Sequence, residues 1–150
     1  EPDEYSVDQL AAAGAGGADW DGVRNFQARN ILEGMRRGDQ CFFYHSSCKV
    51  PAIVGIAEVV SEEAYPDVTA VDPSSEQYDP KSNPSKRKWV AVRVRLVRKL
   101  GRPIPLGELK EHKEGALSGM VLLRAGRLSC QPVSRAEWDF ILALEGSGEG

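Results

Sequence analysis

The segment from Trp89 to Lys99 alternates between apolar and polar side chains, and this alternation limits the possible folds more than any other feature of the chain. The even positions are apolar: Val90, Val92, Val94 and Leu96. The opposite set contains Trp89, Arg93, Arg95 and Lys99. Because successive side chains of a strand point to opposite faces, the pattern predicts a β-strand with one face in a core and the other in solvent.

Positive charge is concentrated around the same strand. Nine basic residues and no carboxylate lie between Lys81 and Arg102, whereas the remainder of the 150-residue chain has 10 basic and 22 acidic residues. A local positive field attracts an anionic partner even though the net charge is −3. Arginines beside a tryptophan suit phosphate contact and base stacking. A solvated strand face is the alternative interpretation of such a charge run.

Length and composition are those of a single globular domain. The chain has 41% hydrophobic and 27% charged residues, and a domain of this size buries about two-thirds of its unfolded surface. Its apolar runs are far shorter than the roughly 20 residues of a bilayer-spanning helix, so we expect no membrane partner. The acidic start, with Glu1, Asp3 and Glu4, is unlike a signal peptide. Three cysteines at low density favour a reducing compartment, and we expect a cytoplasmic protein.

Capping signals and apolar spacing predict the other elements. A capping box at Ser6 starts a short helix that ends near Ala13, and a second box at Ser134 starts a final helix. Trp138, Ile141, Leu142 and Leu144 form the buried side of that last helix. The further predicted elements are helices over Asn25–Glu33 and Leu106–Glu111 and strands over Gln40–His45, Ala52–Ser61 and Leu128–Pro132, with Pro103 and Pro105 ending the basic strand. The result is an α+β fold with one domain over residues 1–145 and a flexible tail over residues 146–150.

Two of the connections have distinctive sequences. The strand over Ala52–Ser61 is apolar on both faces through Ile56, as expected in a barrel or a central sheet position. The Pro-, Asp- and Ser-rich stretch from Glu62 to Ser85 that follows it is too long for a routine connection. It is either a functional lid or partly disordered, and Tyr65 and Tyr78 favour the lid because aromatic residues are scarce in disordered tracts.

Catalytic and metal chemistry find little support in the sequence. Cys41, His45 and Cys48 have a metal-like spacing, but a structural zinc site needs four ligands. Cys41 lies in the apolar run CFFY, where a cysteine is usually a small core residue. The chain has no nucleophile elbow, P-loop or dinucleotide fingerprint. We therefore expect no metal, no cofactor and no enzyme, and a hydrolase built on His45 is the weaker alternative.

The stretch from Trp20 to Asn25 is a candidate binding site. Trp20 is expected on a loop, where an aromatic side chain is less often needed for core packing and is therefore a candidate for ligand binding. Gly22 to Asn25 precede a predicted helix, whose free amide groups can hold an anion or a carbonyl group. A simple turn before the helix is the alternative interpretation.

An ordered set of short motifs resembles the EVE domain family. The motifs are EPDEYS at Glu1, WDGVRN at Trp20 with ARN at Ala28, FYHS at Phe43, GIAEV at Gly55, YPD at Tyr65, YDPKS at Tyr78 and RLS with QPV between Arg127 and Val133. The resemblance implies a PUA-like fold, a small mixed β-barrel with flanking helices. It also implies a non-catalytic domain that binds a modified nucleobase, with modified cytosine in DNA favoured over RNA. Family members usually carry a further strand before the Glu-Pro motif, so we expect part of the pocket wall to precede Glu1.

The resemblance also implies which residues form the pocket. A base that is recognised chemically must leave the stack, lie between flat or apolar groups and have its edge hydrogen-bonded. The implied ligand-binding residues are Trp20, Gly22, Val23, Arg24, Asn25, His45, Ser46, Leu128, Ser129 and Gln131, with Tyr65 and Trp89 as further stacking candidates. The expected contacts to the nucleic-acid backbone are Lys81, Lys86, Arg87, Lys88, Arg93 and Arg95. We expect a monomer, and binding of a free nucleotide or nucleoside derivative is the alternative function.

Overall fold

The secondary structure confirms the α+β class. A computed structural model describes residues 5–46, 48–82, 88–124 and 130–147. The helices are α1 (Val7–Ala12), α2 (Phe26–Glu33), α3 (Leu106–Lys110) and α4 (Arg135–Ser147). The strands are β1 (Ala18–Trp20), β2 (Gln40–His45), β3 (Ala52–Val59), β4 (Tyr65–Pro66) and β5 (Val90–Pro105).

The strands form one antiparallel sheet in the order β1-β5-β3-β2, and β4 also pairs with β5. In the described residues β1 and β2 do not pair, so the small β-barrel implied by the resemblance is an open one. The two edges approach through side chains instead, because the rings of Trp20 and Phe43 lie edge to face with centroids 5.5 Å apart. The sheet therefore curls without closing.

Strand β5 is longer than predicted. The expectation that Pro103 and Pro105 would end it is wrong, because the strand runs to Pro105. Among the described residues, β3 is the only strand that pairs with this second half of β5, with Ile104 opposite Ile53. A proline is tolerated where its missing N–H would face no neighbouring strand. The prolines therefore occupy the unpaired side of β5.

The hydrophobic core has two parts, one on each face of the sheet. Helices α1 and α2 pack on one face around Leu10, Leu32 and Val92. Helices α3 and α4 pack on the other face around Leu109 and Ile141. Strand β3 lies between β5 and β2 and contributes to both parts, which confirms its predicted burial on both faces. Within the described residues, the structure contains no helix with the length and apolar character of a bilayer span.

The helix boundaries follow the predicted capping signals. Both capping boxes form: Gln9 N–H donates to Ser6 Oγ at 3.2 Å, and Glu137 N–H donates to Ser134 Oγ at 3.2 Å. Helix α4 continues through Ser147, so Gly146 and Ser147 are helical although the sequence placed them in the tail. The predicted last strand is absent from residues 130–132, and its first part lies outside the described residues.

Strand β1 was not predicted, and it corrects the placement of Trp20. Instead of a loop, Trp20 occupies the end of β1, opposite Val92 of β5. The preceding Gly17 has φ +72°, and a Cβ at that position would lie 2.1 Å from the carbonyl oxygen of Val94. Only glycine permits this approach, and it lets the chain enter the sheet directly after α1.

Candidate ligand pocket and nucleic-acid interface

A cavity of about 1170 Å³ lies where the two edges of the curled sheet face each other. Its walls come from β1 and the following turn, β2, β3, β5, helix α2, residues 130–133 and the side chains of Gln77, Met120, Leu122 and Trp138. This volume is slightly above the roughly 300–1,000 Å³ of common ligand pockets. A nucleobase-sized group therefore fits with room for attached atoms.

The cavity has an apolar interior and a polar rim. Its apolar lining includes the half-buried Ile31, Met35 and Leu122 and the core side chains of Leu32, Phe43 and Val92, which are at most 6% exposed, and its polar groups include Asp19, Asp21, Asp39, Gln40, Gln77 and Gln131. Burial, followed by the nearby carboxylates of Asp67 and Asp19, raises the pKa of Asp21. The rim is thus rich in hydrogen-bond acceptors and carries negative charge.

The turn that carries the rim is held by the buried side chain of Asp67. Gly22 has φ +76°, and its N–H donates to Asp67 Oδ2 at 2.9 Å. The other carboxylate oxygen accepts from Thr69 N–H at 2.9 Å and Thr69 Oγ at 2.6 Å. Burial raises the pKa of Asp67, but the hydrogen bonds from Thr69, Gly22 and Arg24 outweigh it and hold that pKa below the usual value.

Arg24 completes this connection between the turn and the Glu62–Ser85 stretch. Its Nη1 donates to Val23 O at 2.9 Å and to Asp67 Oδ2 at 3.0 Å. Its Nη2 donates to Thr69 Oγ at 3.1 Å and to Gln77 O at 2.7 Å, and its Nε also donates to Gln77 O at 3.1 Å. A guanidinium has five N–H donors, and all five are used within the protein. Arg24 therefore fastens the stretch to the turn, and this brings the Gln77 side chain to the cavity.

The predicted ligand-binding residues divide into three groups. Trp20, Gly22, Val23, Ser46 and Gln131 all line the cavity. Arg24, Asn25 and His45 are not among its lining residues, and Asn25 Oδ1 caps helix α2 by accepting from Ala28 N–H at 3.1 Å. Leu128 and Ser129 lie outside the described residues, so the expectation for them stays a prediction.

His45 has a structural partner that sequence reasoning did not find. Its Nε2 accepts the N–H of Val7 at 3.0 Å and so anchors the first turn of α1 to β2. Burial lowers the pKa of the imidazole. A neutral imidazole whose Nε2 accepts a hydrogen bond carries its proton on Nδ1. The nitrogen that would serve as a base is therefore already occupied.

The cysteines are free thiols, and two of them line the cavity. Burial, with a smaller effect of Asp39, raises the pKa of Cys41 to about 11. Burial, with a smaller effect of Cys41, raises the pKa of Cys130 to about 12. Both are protonated at neutral pH. No group of three or more His, Cys, Asp or Glu side chains suited to a metal ion occurs in the described part of the chain.

The basic segment is largely paired with carboxylates, and four of the six pairs join distant parts of the sequence. The pairs are Lys88 with Asp79 at 2.9 Å, Arg93 with Asp19 at 2.9 Å, Arg95 with Glu58 at 3.2 Å, Arg98 with Glu145 at 2.7 Å, Arg102 with Glu108 at 2.7 Å, and Lys99 with Asp8. Lys81 is exposed, and Lys86 and Arg87 lie outside the described residues. These pairs offset much of the local charge, although Arg93 and Arg95 keep 44% and 36% of their side-chain surface exposed.

Of the two further stacking candidates, Trp89 is covered by another ring. Trp89 is only 7% exposed, because Phe26 stacks on it with a centroid distance of 4.7 Å. Its indole Nε1 donates to Asp79 Oδ2 at 2.7 Å. Tyr65 is half-buried, and its hydroxyl donates to Asp19 Oδ1 at 2.5 Å. The alternation placed Trp89 on the solvent face but could not predict the ring that covers it.

Sheet topology, helices on both faces and a cavity beside the edge strand together define the class. An open, curled antiparallel sheet of this kind is a PUA-like domain. The EVE domain family model matches residues 1–144, and the chain belongs to that family.

Curated relatives agree with this assignment. Thymocyte nuclear protein 1 of Homo sapiens is 45% identical and that of Mus musculus 47% identical, each over 148 residues and 95% of this chain. The chain spans 65% of the length of both relatives.

Solved structures give the same fold. The DUF55 domain of human thymocyte nuclear protein 1 is 44% identical with a TM-score of 0.91, and the match covers 95% of this chain and 88% of that one. Human THYN1 protein in complex with 5-methylcytosine containing DNA is 45% identical with a TM-score of 0.90, over 94% of this chain and 85% of that one. A hypothetical protein from Leishmania major is 41% identical with a TM-score of 0.91, over 100% and 92% of the two chains.

Proposed function

We propose that this domain binds DNA and takes one modified cytosine out of the base stack into the cavity, with 5-methylcytosine as the leading candidate. The observation that carries the proposal is the likeness, at a TM-score of 0.90, to a human protein solved with DNA that contains this base. The cavity beside Trp20 supports it, because a flipped base needs a pocket with flat or apolar walls.

The lining of the cavity suits the chemistry of a methylated cytosine. A methyl group at C5 favours apolar neighbours, which the half-buried side chains of Ile31 and Met35 provide. The exocyclic amino group of cytosine donates hydrogen bonds that carboxylates accept, and Asp19 and Asp21 are on the rim. Trp20 supplies the ring for stacking, and Gly22, Val23, Ser46 and Gln131 complete our proposed site.

The contacts of the described residues argue against a hydrolase. A hydrolase would need His45 as a base, but its Nε2 accepts from Val7. The thiols of Cys41 and Cys130 are held protonated by burial. We therefore propose a binding module without catalysis or cofactor.

The strand that flanks the base requires its own contacts. We propose that Lys81, Lys88, Arg93 and Arg95 approach the phosphates, together with Lys86 and Arg87 from the stretch outside the described residues. Such contacts give affinity that falls with salt and carry little sequence information. We further propose that the domain acts as a monomer, away from membranes, in a reducing compartment such as the cytoplasm.

A panel of oligonucleotides tests the proposal. Fluorescence anisotropy compares DNA strands that differ only in one cytosine, which is unmodified or 5-methylated, with the matching RNA strands and the free nucleosides. The proposal expects the methylated DNA to bind most tightly and its preference to be reproduced by 5-methyl-2′-deoxycytidine over deoxycytidine. Equal affinity for methylated and unmodified strands would refute modified-base recognition. Tighter binding of nucleotides than of strands would instead favour the free-ligand alternative.

A further inference from the structure

Phe26 is the most exposed aromatic side chain of the described residues. It is the first residue of α2, and 58% of its surface is exposed. One face of its ring packs on Trp89, with an angle of 26° between the planes. The other side faces solvent. A flat group stacked on this open face would remove apolar surface from water.

The ring beneath Phe26 is held firmly. The indole of Trp89 is hydrogen-bonded to Asp79 at 2.7 Å. The backbone next to it is tied to α2, because Arg29 Nε donates to Lys88 O at 3.0 Å. Asn25 fixes the start of the same helix through its cap on Ala28. Phe26 is therefore preorganised, and little ordering entropy remains to be lost when a flat group stacks on it.

Two cations lie beside this stack, and each is paired with a carboxylate. The Arg24 guanidinium and the Lys88 ammonium each lie 5.5 Å from the centroid of the Trp89 ring. Arg24 is paired with Asp67 at 3.0 Å and Lys88 with Asp79 at 2.9 Å. The open face of Phe26 therefore fits a flat, uncharged ring. A nucleobase is such a ring, and base stacking on an aromatic side chain is a common mode of single-strand binding.

We propose that Phe26 stacks on a nucleobase that neighbours the base in the cavity. The proposal rests on the proposed function. Val23 lines the cavity, and Phe26 follows it by three residues, a reach of about 11 Å at most. The two contacts are thus close enough to engage neighbouring nucleotides of one strand. Phe26 adds affinity for a strand, whereas the cavity selects the modified base.

The test compares a short strand with a single nucleoside. Wild-type protein, Phe26→Ala and Phe26→Trp are titrated with a trinucleotide that has 5-methylcytosine at its centre, and with 5-methyl-2′-deoxycytidine alone. Replacement by Ala is expected to weaken trinucleotide binding by roughly 5- to 150-fold, the equivalent of about 1–3 kcal/mol for a lost stack. Nucleoside affinity is expected to stay unchanged, and Phe26→Trp is expected to retain trinucleotide affinity.

A fluorescent base and a matched variant complete the design. With 2-aminopurine beside the methylated cytosine, stacking on Phe26 is expected to quench its emission in the wild-type protein and not in Phe26→Ala. Val97→Ala removes another exposed apolar side chain, from strand β5, and is expected to match the wild type.

The other possible results separate a failure of the Phe26 proposal from a failure of the proposed function. Unchanged trinucleotide affinity and quenching in Phe26→Ala would overturn the proposal for Phe26 while leaving the proposed function intact. Equal losses for trinucleotide and nucleoside would overturn it too, because Phe26 would then act only by shaping the cavity. A wild-type protein that binds neither ligand would overturn the proposed function itself.

Discussion

Replacing Asp67 with Ala is the sharpest test of how the cavity rim is built. The side chain of Asp67 is fully buried, and its carboxylate accepts four hydrogen bonds from Gly22, Arg24 and Thr69. The substitution leaves two backbone N–H groups without their partner and removes the acidic partner of Arg24. Because each loss occurs away from solvent, the cost is larger than that of a surface ion pair.

The magnitude follows from the burial of the pair. Hydrogen bonds to a charged group contribute about 1.5–3 kcal/mol each, and breaking a buried ion pair from one side costs about 3–5 kcal/mol. These contributions overlap, and Arg24 keeps 23% of its side-chain surface exposed. We therefore expect Asp67→Ala to lose about 3–5 kcal/mol of unfolding free energy. With a urea m-value of about 2 kcal/mol/M, the midpoint falls by roughly 2 M.

Urea denaturation followed by circular dichroism measures this loss. Asp72→Ala is the matched control, because Asp72 makes the same pair of bonds to Ser74, at 2.9 and 2.7 Å, on the exposed surface. It is expected to cost far less. A loss below about 1 kcal/mol in Asp67→Ala would refute the reasoning, because the buried bonds would then contribute no more than surface bonds.

The pH dependence of stability gives a second measurement on the same variant. The pKa of Asp67 is lowered in the folded protein from a usual value of 3.8. A lowered folded-state pKa stabilises the protein above the unfolded-state pKa, and this contribution is lost as the pH falls. The difference in unfolding free energy between wild type and Asp67→Ala is therefore expected to shrink as the pH drops below about 4. A difference that grows in acid would contradict the assignment of Asp67 as a carboxylate.

Four further variants, at Trp20, Asn25 and the Arg93–Arg95 pair, test the cavity and the strand. Trp20→Ala is expected to reduce affinity for methylated and unmodified DNA alike by about 1–3 kcal/mol in anisotropy titrations, and Trp20→Phe to keep most of it. Asn25→Ala is expected to cost about 1 kcal/mol of stability through the lost cap, measured by urea denaturation. A separate loss of about 1–3 kcal/mol of binding free energy for the preferred ligand, measured under conditions where the variant is folded, would support the predicted contact between Asn25 and the ligand. Changing Arg93 and Arg95 together to Ala is expected to weaken binding of both strands equally and to flatten the salt dependence by about one unit per lost phosphate contact. An unchanged salt slope would mean that their pairs with Asp19 and Glu58 are their only role.

Local signals in the sequence predicted much of the fold. Both capping boxes formed because their hydrogen bonds are local. The Ser hydroxyl accepts the backbone N–H of the Gln or Glu three residues later, and the side chain of that residue accepts the backbone N–H of the Ser. Strand β2 has the predicted bounds, Gln40–His45. Strand β1 was missed because Asp19 and Trp20 follow a glycine run, and only pairing with Val92 and Arg93 makes them a strand.

The candidate site was less accessible to sequence reasoning because it depends on distant partners. Trp20, Ser46 and Gln131 were proposed from motifs and do line one cavity. Asp67 had no local signal of its role, which depends on Gly22 and Arg24, more than 40 residues earlier. The ion pairs of Arg93, Arg95, Arg98 and Lys99 were hidden for the same reason. A charge run can be counted in a sequence, whereas its counter-charges are identified only by the fold.

The position of β5 at the centre of the sheet has a consequence for synthesis. This strand pairs with β1, β3 and β4, all of which precede it in the chain. Ala18 meets Val94, so the sheet requires contacts between residues far apart in sequence, and such topologies fold on the slower scale of about milliseconds to seconds. On the ribosome, β1 stays unpaired while about 70 further residues are synthesised, because its partner strand β5 follows them. The nascent chain therefore exposes unpaired strand edges and apolar side chains until β5 emerges, which makes that interval the time when it most needs protection from aggregation.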